Sequence, residues 1–343
     1  MPARPVAAPR ARPRSRALPL LLLLLCAACR PAAPASRQQT RLLMGTYVTI
    51  TARGPARETD RALAAAFARL DTISRRFSYR DSTGPLYTFN LRGEPFADAE
   101  IAVLLRVAAE VSAATGGAFD VTAQPLVALW GFAAGVPAVP DPADIESTLA
   151  LVGWQHLAIR GDTVAGLVPG LRLDLSGIAK GYAIGEAARV LRDQGVNSAL
   201  VDAGGDIYAL GRKDDRDWRV GVRHPRGGDI VAVIPAADVA VVTSGDYEQA
   251  FTIRGDTSYC HIIDPRTGRP ARGLAAVTVV ASDPGRADAW ATALFVLGPD
   301  ALGLVEATEN LEALFITPDL KMTCSSGLAA VLELPAPPDS LAP

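Results

Sequence analysis

Residues 173–182 read LDLSGIAKGY, and this stretch decides both the fold class and the place of the candidate site. The segment 171–176 alternates apolar and polar side chains as a strand does, and Gly177 then opens a helical pattern that continues to residue 194. Lys180 falls in the first turn of this helix, where free backbone N–H groups favour anions. The arrangement suits a phosphate group, although a strand–glycine–helix turn can also be purely structural. The GxxxxGK[ST] spacing of a Walker loop is missing.

Strand and helix patterns alternate on both sides of this stretch. Residues 43–52 predict a strand because β-branched and aromatic side chains dominate, and residues 59–77 predict a helix because apolar side chains recur at helical spacing. The other predicted elements are helices over 98–115, 145–152 and 283–296, a hairpin over 157–168, and strands over 198–203, 218–223, 230–234, 239–243, 248–253 and 276–281. Consecutive strands mixed with helices predict an α+β (mixed α/β) fold without a clean interdomain linker.

The charge balance argues against a nucleic-acid partner. The 343 residues contain 34 basic and 36 acidic side chains, which leaves a formal charge of −2. Proteins that bind nucleic acid normally carry a basic face or stripe, and this balance offers none. We therefore expect no nucleic-acid partner.

The N-terminus differs in composition from the rest of the chain. Five arginines and no acidic residue precede the apolar run 18–25, which is too short to span a bilayer and predicts an export signal. Small residues before Cys29 resemble a bacterial lipoprotein signal, in which this cysteine receives lipid; simple cleavage after an alanine is the alternative. We therefore expect a signal peptide over 1–28, a tether over 29–40, a folded domain over 41–335, and a lipid-anchored protein on the periplasmic side of the inner membrane.

Two further cysteines, Cys260 and Cys324, remain in the mature chain. An exported location permits a disulfide between them, but two cysteines alone do not establish one. The sequence leaves this pairing open.

A second chemical signal lies in residues 286–295, which read RADAWATALF. On a helix, Asp288 and Thr292 are four residues apart and share one face. Hard oxygen ligands of this kind suit Mg²⁺, which usually takes one or two carboxylates and completes its shell with other oxygens. An aspartate that merely favours the first turns of a helix is the structural alternative.

His261 is the third candidate. The chain contains three histidines, and His261 lies shortly before a turn composed of DPRTG. Imidazole titrates near neutral pH, so His261 is a candidate for proton transfer or for a phosphate contact. A structural contact is the alternative for any single histidine.

Taken together, these strings resemble the ApbE family of FAD:protein FMN transferases, and the match covers about residues 43–315. The strings follow the order of the family: MGTYVTI from Met44, FSY ending at Tyr79, AFDVTAQPLVALWGF from Ala118, LDLSGIAKGY from Leu173, VDAGGDIYALG from Val201, TSGDYE from Thr243, HIIDPRTG from His261 and ADAWATALF from Ala287. The resemblance implies an ApbE-like fold, with mixed β-sheets flanked by helices. It also implies Mg²⁺-dependent transfer of FMN from FAD to a threonine or serine hydroxyl of a target protein, with release of AMP.

The resemblance further implies residue roles. It assigns Asp288 and Thr292 to the metal through side chains, and Gly177 and Ala291 through backbone carbonyls. His261 matches the family histidine that is linked to activity. On chemical grounds the acceptor hydroxyl must lose a proton, and we expect either Asp288 or His261 to accept it. The FAD contacts would be Met44, Tyr79, Ala118, Phe119, Asp120, Asp174, Lys180 and Ile262.

Three positions depart from the common pattern of the family. Ser176 replaces a frequent glycine, Cys260 a frequent histidine and Asp206 a usual asparagine. Two other functions remain open: hydrolysis of FAD to FMN and AMP, and storage of FAD by a lipoprotein without turnover. The family implies a respiratory or redox membrane subunit as the acceptor, which the sequence does not identify.

Overall fold

The computed structural model describes residues 35–133, 136–248, 250–253 and 257–335, together with residues 1 and 3. The predicted signal peptide and Cys29 therefore lie outside the described residues. Within the described ranges, no helix has the length and hydropathy needed to cross a bilayer.

Seventeen strands are present in the described part of the chain. They are β1 (Ala35–Leu43), β2 (Thr46–Gly54), β3 (Phe96–Ala97), β4 (Leu157–Arg160), β5 (Thr163–Gly166), β6 (Ala199–Ala203), β7 (Asp206–Leu210), β8 (Trp218–Arg223), β9 (Ile230–Ala236), β10 (Val239–Gly245), β11 (Ala250–Ile253), β12 (Thr257–Cys260), β13 (Ile263–Asp264), β14 (Arg269–Pro270), β15 (Ala276–Ala281), β16 (Leu311–Ile316) and β17 (Met322–Cys324). Eight of them form the central sheet, in the order β1-β2-β6-β7-β10-β15-β16-β17.

Nine α-helices accompany these strands within the same described ranges. They are α1 (Ala56–Arg76), α2 (Pro85–Arg92), α3 (Ala99–Ala114), α4 (Gln124–Leu129), α5 (Pro142–Leu149), α6 (Ser176–Asp193), α7 (Pro284–Leu297), α8 (Leu302–Glu306) and α9 (Ser326–Ala329). Short 3₁₀ turns cover Trp154–His156 and Pro299–Ala301. Helices and sheets of this kind confirm the predicted α+β fold.

Two apolar layers cover the central sheet. Helix α6 contacts both α1 and α7, and buried side chains of these helices, such as Phe67 and Phe295, share a core with Ile50 of β2. A second core forms where buried side chains of the β8–β9 hairpin, such as Trp218, pack with Leu314 of β16. Apolar burial of this kind is the main favourable contribution to folding. It also fixes the ends of α6 and α7 against the sheet.

The segment 171–176 is not a strand, which corrects the prediction from its alternating pattern. Its last residue, Ser176, already begins α6, and the residues before it bond to a side chain and a loop instead of a neighbouring strand. The N–H of Leu173 donates to Asn90 Oδ1 at 2.8 Å, and Asn90 Nδ2 donates to the carbonyl of Leu173 at 2.8 Å. The N–H of Asp174 donates to the carbonyl of Val121 at 2.7 Å. The alternation therefore reports that every second side chain of this segment is buried, and not membership of a sheet.

The predicted strand over 43–52 is in fact the turn and second strand of a hairpin. Met44 and Gly45 have φ values of 53° and 74°, in the left-handed region that a tight two-residue turn between β-strands requires. The first strand, β1, covers residues 35–40 as well, which the sequence assigns to a tether. The hydroxyls of Thr40 and Thr49 lie 2.9 Å apart across the hairpin, so this part of the chain is built into the sheet.

Cys260 and Cys324 are free thiols. Cys260 is buried in the core that includes the helices, whereas Cys324 is partly exposed and packs against the second core. The structure thus answers the question that the sequence left open, and no disulfide joins this pair.

Candidate functional site

A cavity of about 500 Å³ opens where α6 and α7 approach the end of the hairpin β1–β2 and the loop after β12. Its walls include every residue to which the resemblance assigns a metal, FAD or catalytic role, apart from Ala291, which is fully buried in α7. The residues that the structure brings together are Met44, Tyr79, Ala118, Phe119, Asp120, Asp174, Gly177, Lys180, His261, Ile262, Asp288 and Thr292. The role of each of them stays a prediction.

A row of glycines allows α6 and α7 to approach closely. A Cβ atom on Gly177 would lie 3.1 Å from Thr292 Oγ1, and one on Gly181 would lie 2.7 Å from Asp288 Cβ. Gly185 continues the same row one turn further along α6. Glycine is unfavourable inside a helix, so three of them at this spacing point to a packing requirement. The approach of the two helices places Gly177 next to Thr292 and Gly181 next to Asp288.

Asp288 is a buried carboxylate that lies at the cavity with one oxygen unused. It is 3% exposed, and its Oδ2 accepts the N–H of Gly181 at 2.9 Å. Its other oxygen accepts no hydrogen bond from the described residues. Burial, together with the negative charge of Asp206, raises the pKa of Asp288 to about 7, although Lys180 acts in the opposite direction. A desolvated carboxylate of this kind favours a bound cation.

The oxygen donors around Asp288 fit Mg²⁺ better than a cation that needs several carboxylates. Within the described ranges, no three Asp, Glu, His or Cys side chains converge on a common point. The Asp288 carboxylate, the Thr292 hydroxyl and the backbone beside Gly177 offer instead one charged and several neutral oxygens. Mg²⁺ is commonly bound by one or two carboxylates, and water and substrate phosphates complete its shell.

Lys180 does not extend alone into the cavity. Its Nζ lies 2.5 Å from Asp206 Oδ2, and Asp206 is only 2% exposed. Burial by itself lowers the pKa of Lys180, but the carboxylates of Asp206, Asp288 and Glu248 outweigh burial and raise that pKa above its ordinary value. Lys180 is therefore a permanently charged group that is already paired. The sequence singled out Lys180 but did not identify its partner.

Asp120 organises the opposite wall. Its Oδ1 accepts the N–H of Thr122 at 2.8 Å and the Thr122 hydroxyl at 2.7 Å, and its Oδ2 accepts the N–H of Trp154 at 2.8 Å. Burial raises the pKa of Asp120, and these hydrogen bonds act against it. Phe119, the preceding residue, is buried and would be 3.2 Å from a Cβ atom on Gly177. These contacts shape the loop that faces α6.

Tyr79 and Asp174 form a polar edge of the same cavity. Asp174 Oδ1 accepts the N–H of Ser176 at 2.8 Å, at the start of α6, and burial raises the pKa of Asp174. The Tyr79 hydroxyl accepts hydrogen bonds from Arg80 Nε and Nη2 at 3.2 and 3.1 Å. Burial, followed by the charge of Asp174, raises the pKa of Tyr79. This edge thus presents carboxylate, phenol and guanidinium groups to the cavity.

His261 and Cys260 are neighbours in sequence but face different surroundings. His261 lines the cavity, with its ring centroid 6.5 Å from that of Phe132 in an edge arrangement. Cys260 is buried, and its thiol donates to the carbonyls of Ala271 at 3.4 Å and Ile262 at 3.6 Å. Burial raises the pKa of the Cys260 thiol to about 11, so it stays protonated at neutral pH. Cys260 therefore cannot take the place, in the cavity, of the histidine that is frequent at this position in the family pattern.

Several residues of the cavity wall were not selected from the sequence. Thr243, Ser244 and Glu248 belong to the quoted string TSGDYE, so the signal was present, but no spacing rule assigned them a role. Others lie in strings or segments with no individual chemical signal: Ser74, Ser78, Arg80 and Phe132. Burial raises the pKa of Glu248, although Lys180 acts in the opposite direction. Glu248 is thus a further carboxylate at the cavity.

Comparison with known proteins gives consistent matches along the chain. The model of the ApbE family matches residues 44–315. An FAD:protein FMN transferase of Vibrio cholerae is 33% identical over 301 residues, which is 85% of this chain and 90% of the relative. A second FAD:protein FMN transferase, from Treponema pallidum, is 33% identical over 337 residues, which is 89% of this chain and 93% of that relative. The solved ApbE protein of Thermotoga maritima superposes with a TM-score of 0.80 at 32% identity, covering 87% of this chain and 99% of that one. The solved flavin transferase ApbE of Vibrio cholerae superposes with a TM-score of 0.77 at 31% identity, covering 87% of this chain and 100% of that one.

Proposed function

Since this chain belongs to the ApbE family, we propose that it uses Mg²⁺ to transfer FMN from FAD to a threonine or serine hydroxyl of an acceptor protein, with release of AMP. The chain is an enzyme of the FAD:protein FMN transferase class, the activity that its curated relatives carry at about one-third identity over most of its length. The observation that carries the proposal is the meeting of Asp288, Thr292, Gly177 and Lys180 in one cavity.

The reaction exchanges one phosphorus–oxygen bond for another. The acceptor hydroxyl oxygen forms a bond to the phosphorus on the FMN side of the FAD diphosphate. The anhydride bond to the adenylate phosphate breaks, and AMP leaves with the electron pair. The hydroxyl proton passes to a base. Catalysis of such a transfer consists mostly of positioning and of charge neutralisation at the phosphoryl oxygens.

The cavity contains side chains for both tasks. The Asp288 and Thr292 side chains, with the carbonyls of Gly177 and Ala291, would hold Mg²⁺. When bound, Mg²⁺ neutralises phosphoryl charge and orients the leaving group. Lys180 adds a fixed positive charge near the N-terminus of α6, where the helix terminus also favours anions.

The base for the acceptor hydroxyl is one of two residues. A general base must lie within hydrogen-bonding reach of the proton that it takes. Asp288 and His261 both line the cavity, but Asp288 cannot serve as a full metal ligand and a free base at the same time. Replacing each residue by asparagine distinguishes the general base from the metal ligand, with Mn²⁺ as the probe for the cation site. If His261 is the base, His261→Asn lowers kcat and leaves the affinity for Mn²⁺ unchanged. Asp288→Asn lowers both kcat and the affinity for Mn²⁺.

Two other functions predict different products. A hydrolase with the same cavity would release free FMN and AMP because water would replace the protein hydroxyl. A storage lipoprotein would leave FAD intact in the presence of Mg²⁺ and an acceptor. The meeting of Asp288, Thr292 and Lys180 favours turnover, because storage needs no arranged cation site.

We further propose that the protein is exported and anchored through a lipid on Cys29, on the periplasmic side of the inner membrane. The arginine-rich start, the short apolar run and the small residues before Cys29 support this proposal. An acceptor in a respiratory or redox membrane subunit would then lie on the same surface. Fractionation of cells tests the anchor: Cys29→Ala is expected to move the protein from the membrane fraction to the soluble fraction.

The central experiment follows the fate of FMN. The mature protein is incubated with FAD, Mg²⁺ and a purified acceptor domain, and in-gel flavin fluorescence and mass spectrometry detect the covalent adduct. We expect the wild type to form it and Asp288→Ala to form none, whereas Glu110→Gln, an exposed carboxylate on α3, is unchanged. An adduct formed by Asp288→Ala at the wild-type rate would exclude the proposed site, and free FMN without an adduct would identify a hydrolase.

A further inference from the structure

Asp206 is a buried carboxylate beside the cavity to which the proposed function gives no task. Its Oδ2 lies 2.5 Å from Lys180 Nζ, and its Oδ1 accepts the backbone N–H of Thr243 at 3.3 Å. Lys180 and Thr243 line the cavity, whereas Asp206 lies behind them. Any influence of Asp206 on a bound ligand must therefore act through Lys180, through Thr243 or through the field of its charge.

The sheet holds Asp206 in place. Asp206 begins β7 and pairs with Ala203 of β6 across a two-glycine turn. On the other side, Thr243 belongs to β10, and its hydroxyl lies 2.8 Å from that of Thr278 on β15. Lys180, by contrast, reaches Asp206 through a flexible four-carbon side chain. The rigid strand thus determines where the ammonium group of Lys180 lies.

The charges around the cation site do not balance. Lys180 carries one positive charge, and the carboxylates of Asp206, Asp288 and Glu248 all lie close enough to act on it. With all four groups ionised, their sum is two negative charges. Arg223, which is exposed, is the remaining cation that acts on Glu248. Such an excess attracts a divalent cation and repels a diphosphate.

We propose that Asp206 is a positioning residue that holds Lys180 and offsets its charge, so that the divalent cation binds before the diphosphate of FAD. The inference rests on the proposed function, because it takes FAD as the substrate and a divalent cation as its companion. While the cation is absent, paired Lys180 offers little net attraction to a diphosphate. Once the cation is bound, its two positive charges cancel the excess, and Lys180 then contributes to holding the phosphates.

Asp206→Asn tests the inference with two binding measurements that need no turnover. Asparagine keeps the shape of the side chain and an oxygen for the N–H of Thr243, but removes one negative charge. We expect the affinity of the FAD-free protein for Mn²⁺, followed by electron paramagnetic resonance, to fall on the order of tenfold. The affinity of the cation-free protein for FAD, followed by flavin fluorescence in EDTA, is expected to rise by a similar factor. If Asp206 had only a structural role, Asp206→Asn would weaken the binding of both Mn²⁺ and FAD.

Asp202→Asn is the matched control. Asp202 lies on the neighbouring strand β6, is not part of the cavity wall, and accepts the N–H of Gly205 at 2.8 Å. We expect it to change either affinity by less than about threefold, because Asp202 is partly exposed and its charge is not among those that act on Asp288. A second test restores the charge: the double variant Asp206→Asn/Lys180→Met has the net charge of the wild type and is expected to regain Mn²⁺ affinity relative to Asp206→Asn alone.

The outcomes separate the two proposals. If the wild type binds neither Mn²⁺ nor FAD, the proposed function fails and this inference fails with it. If the wild type binds both, but Asp206→Asn moves the two affinities in the same direction or moves neither, only this inference is overturned. Failure of the double variant to regain Mn²⁺ affinity would also overturn it, because charge would then not be the cause.

Discussion

Replacing Asp288 by asparagine is expected to stabilise the metal-free protein while abolishing flavin transfer. Asparagine has the shape of a protonated aspartate and keeps an oxygen for the N–H of Gly181. The ionised form of Asp288 is disfavoured in the fold, because burial and the charge of Asp206 raise its pKa to about 7. Asparagine removes this unfavourable charge, but it also removes the negative charge that a cation needs.

The magnitude follows from the difference in pKa between the folded and unfolded states. The pKa rises from 3.8 to about 7, and each pKa unit corresponds to about 1.36 kcal/mol. Between these values the folded protein retains a proton that the unfolded chain has lost, so the free energy of unfolding of the wild type falls as the pH rises through this window. Above the window, the cost to the wild type reaches about 4 kcal/mol. The Asp288→Asn variant does not bear this cost.

Chemical denaturation in EDTA measures the effect at two pH values. At pH 8 we expect the variant to be more stable than the wild type by up to about 4 kcal/mol, and at pH 5 by less than about half of that. Glu110→Gln, which removes an exposed carboxylate from α3, is the control and should stay within about 0.5 kcal/mol of the wild type at both pH values. A variant that is equally or less stable than the wild type at pH 8 would refute the reasoning. Added Mg²⁺ should stabilise the wild type alone.

Three further predictions concern the framework of the site. Gly181→Ala places a methyl group 2.7 Å from Asp288 Cβ, so it should lower the free energy of unfolding by about 1–3 kcal/mol in urea titrations. An unchanged unfolding midpoint would show that α6 and α7 can move apart without cost. Asp283 caps α7 by accepting the N–H of Arg286 at 2.7 Å, so Asp283→Ala should cost about 1 kcal/mol in the same titration, and a loss below about 0.3 kcal/mol would contradict the capping role. In the folded protein carrying Cys29→Ala, a thiol reagent should label partly exposed Cys324 within minutes and buried Cys260 only after denaturation. Peptide mass mapping measures the labelling of each cysteine, and equal labelling of the two would place Cys260 at the surface.

Local pattern was sufficient for much of the fold. Apolar spacing predicted α1, α3 and α7 to within a few residues, because helical periodicity depends only on neighbours along the chain. The four-residue separation of Asp288 and Thr292 on one face of α7 is equally local. By contrast, 171–176 has the alternation of a strand but bonds to Asn90 and Val121, which no pattern within the segment can reveal.

The sequence by itself determined which segments carry chemistry, because residue types and their spacing are written along the chain. Only the tertiary structure decided which groups meet. Asp288 accepts the N–H of Gly181 from 107 residues away, and Asp206 pairs with Lys180 across 26 residues. Both contacts depend on how closely two helices pack and on where a strand ends in the sheet. The distance between two packed elements depends on the volumes of side chains that come from distant parts of the sequence. The spacing of residues along one segment therefore cannot predict it.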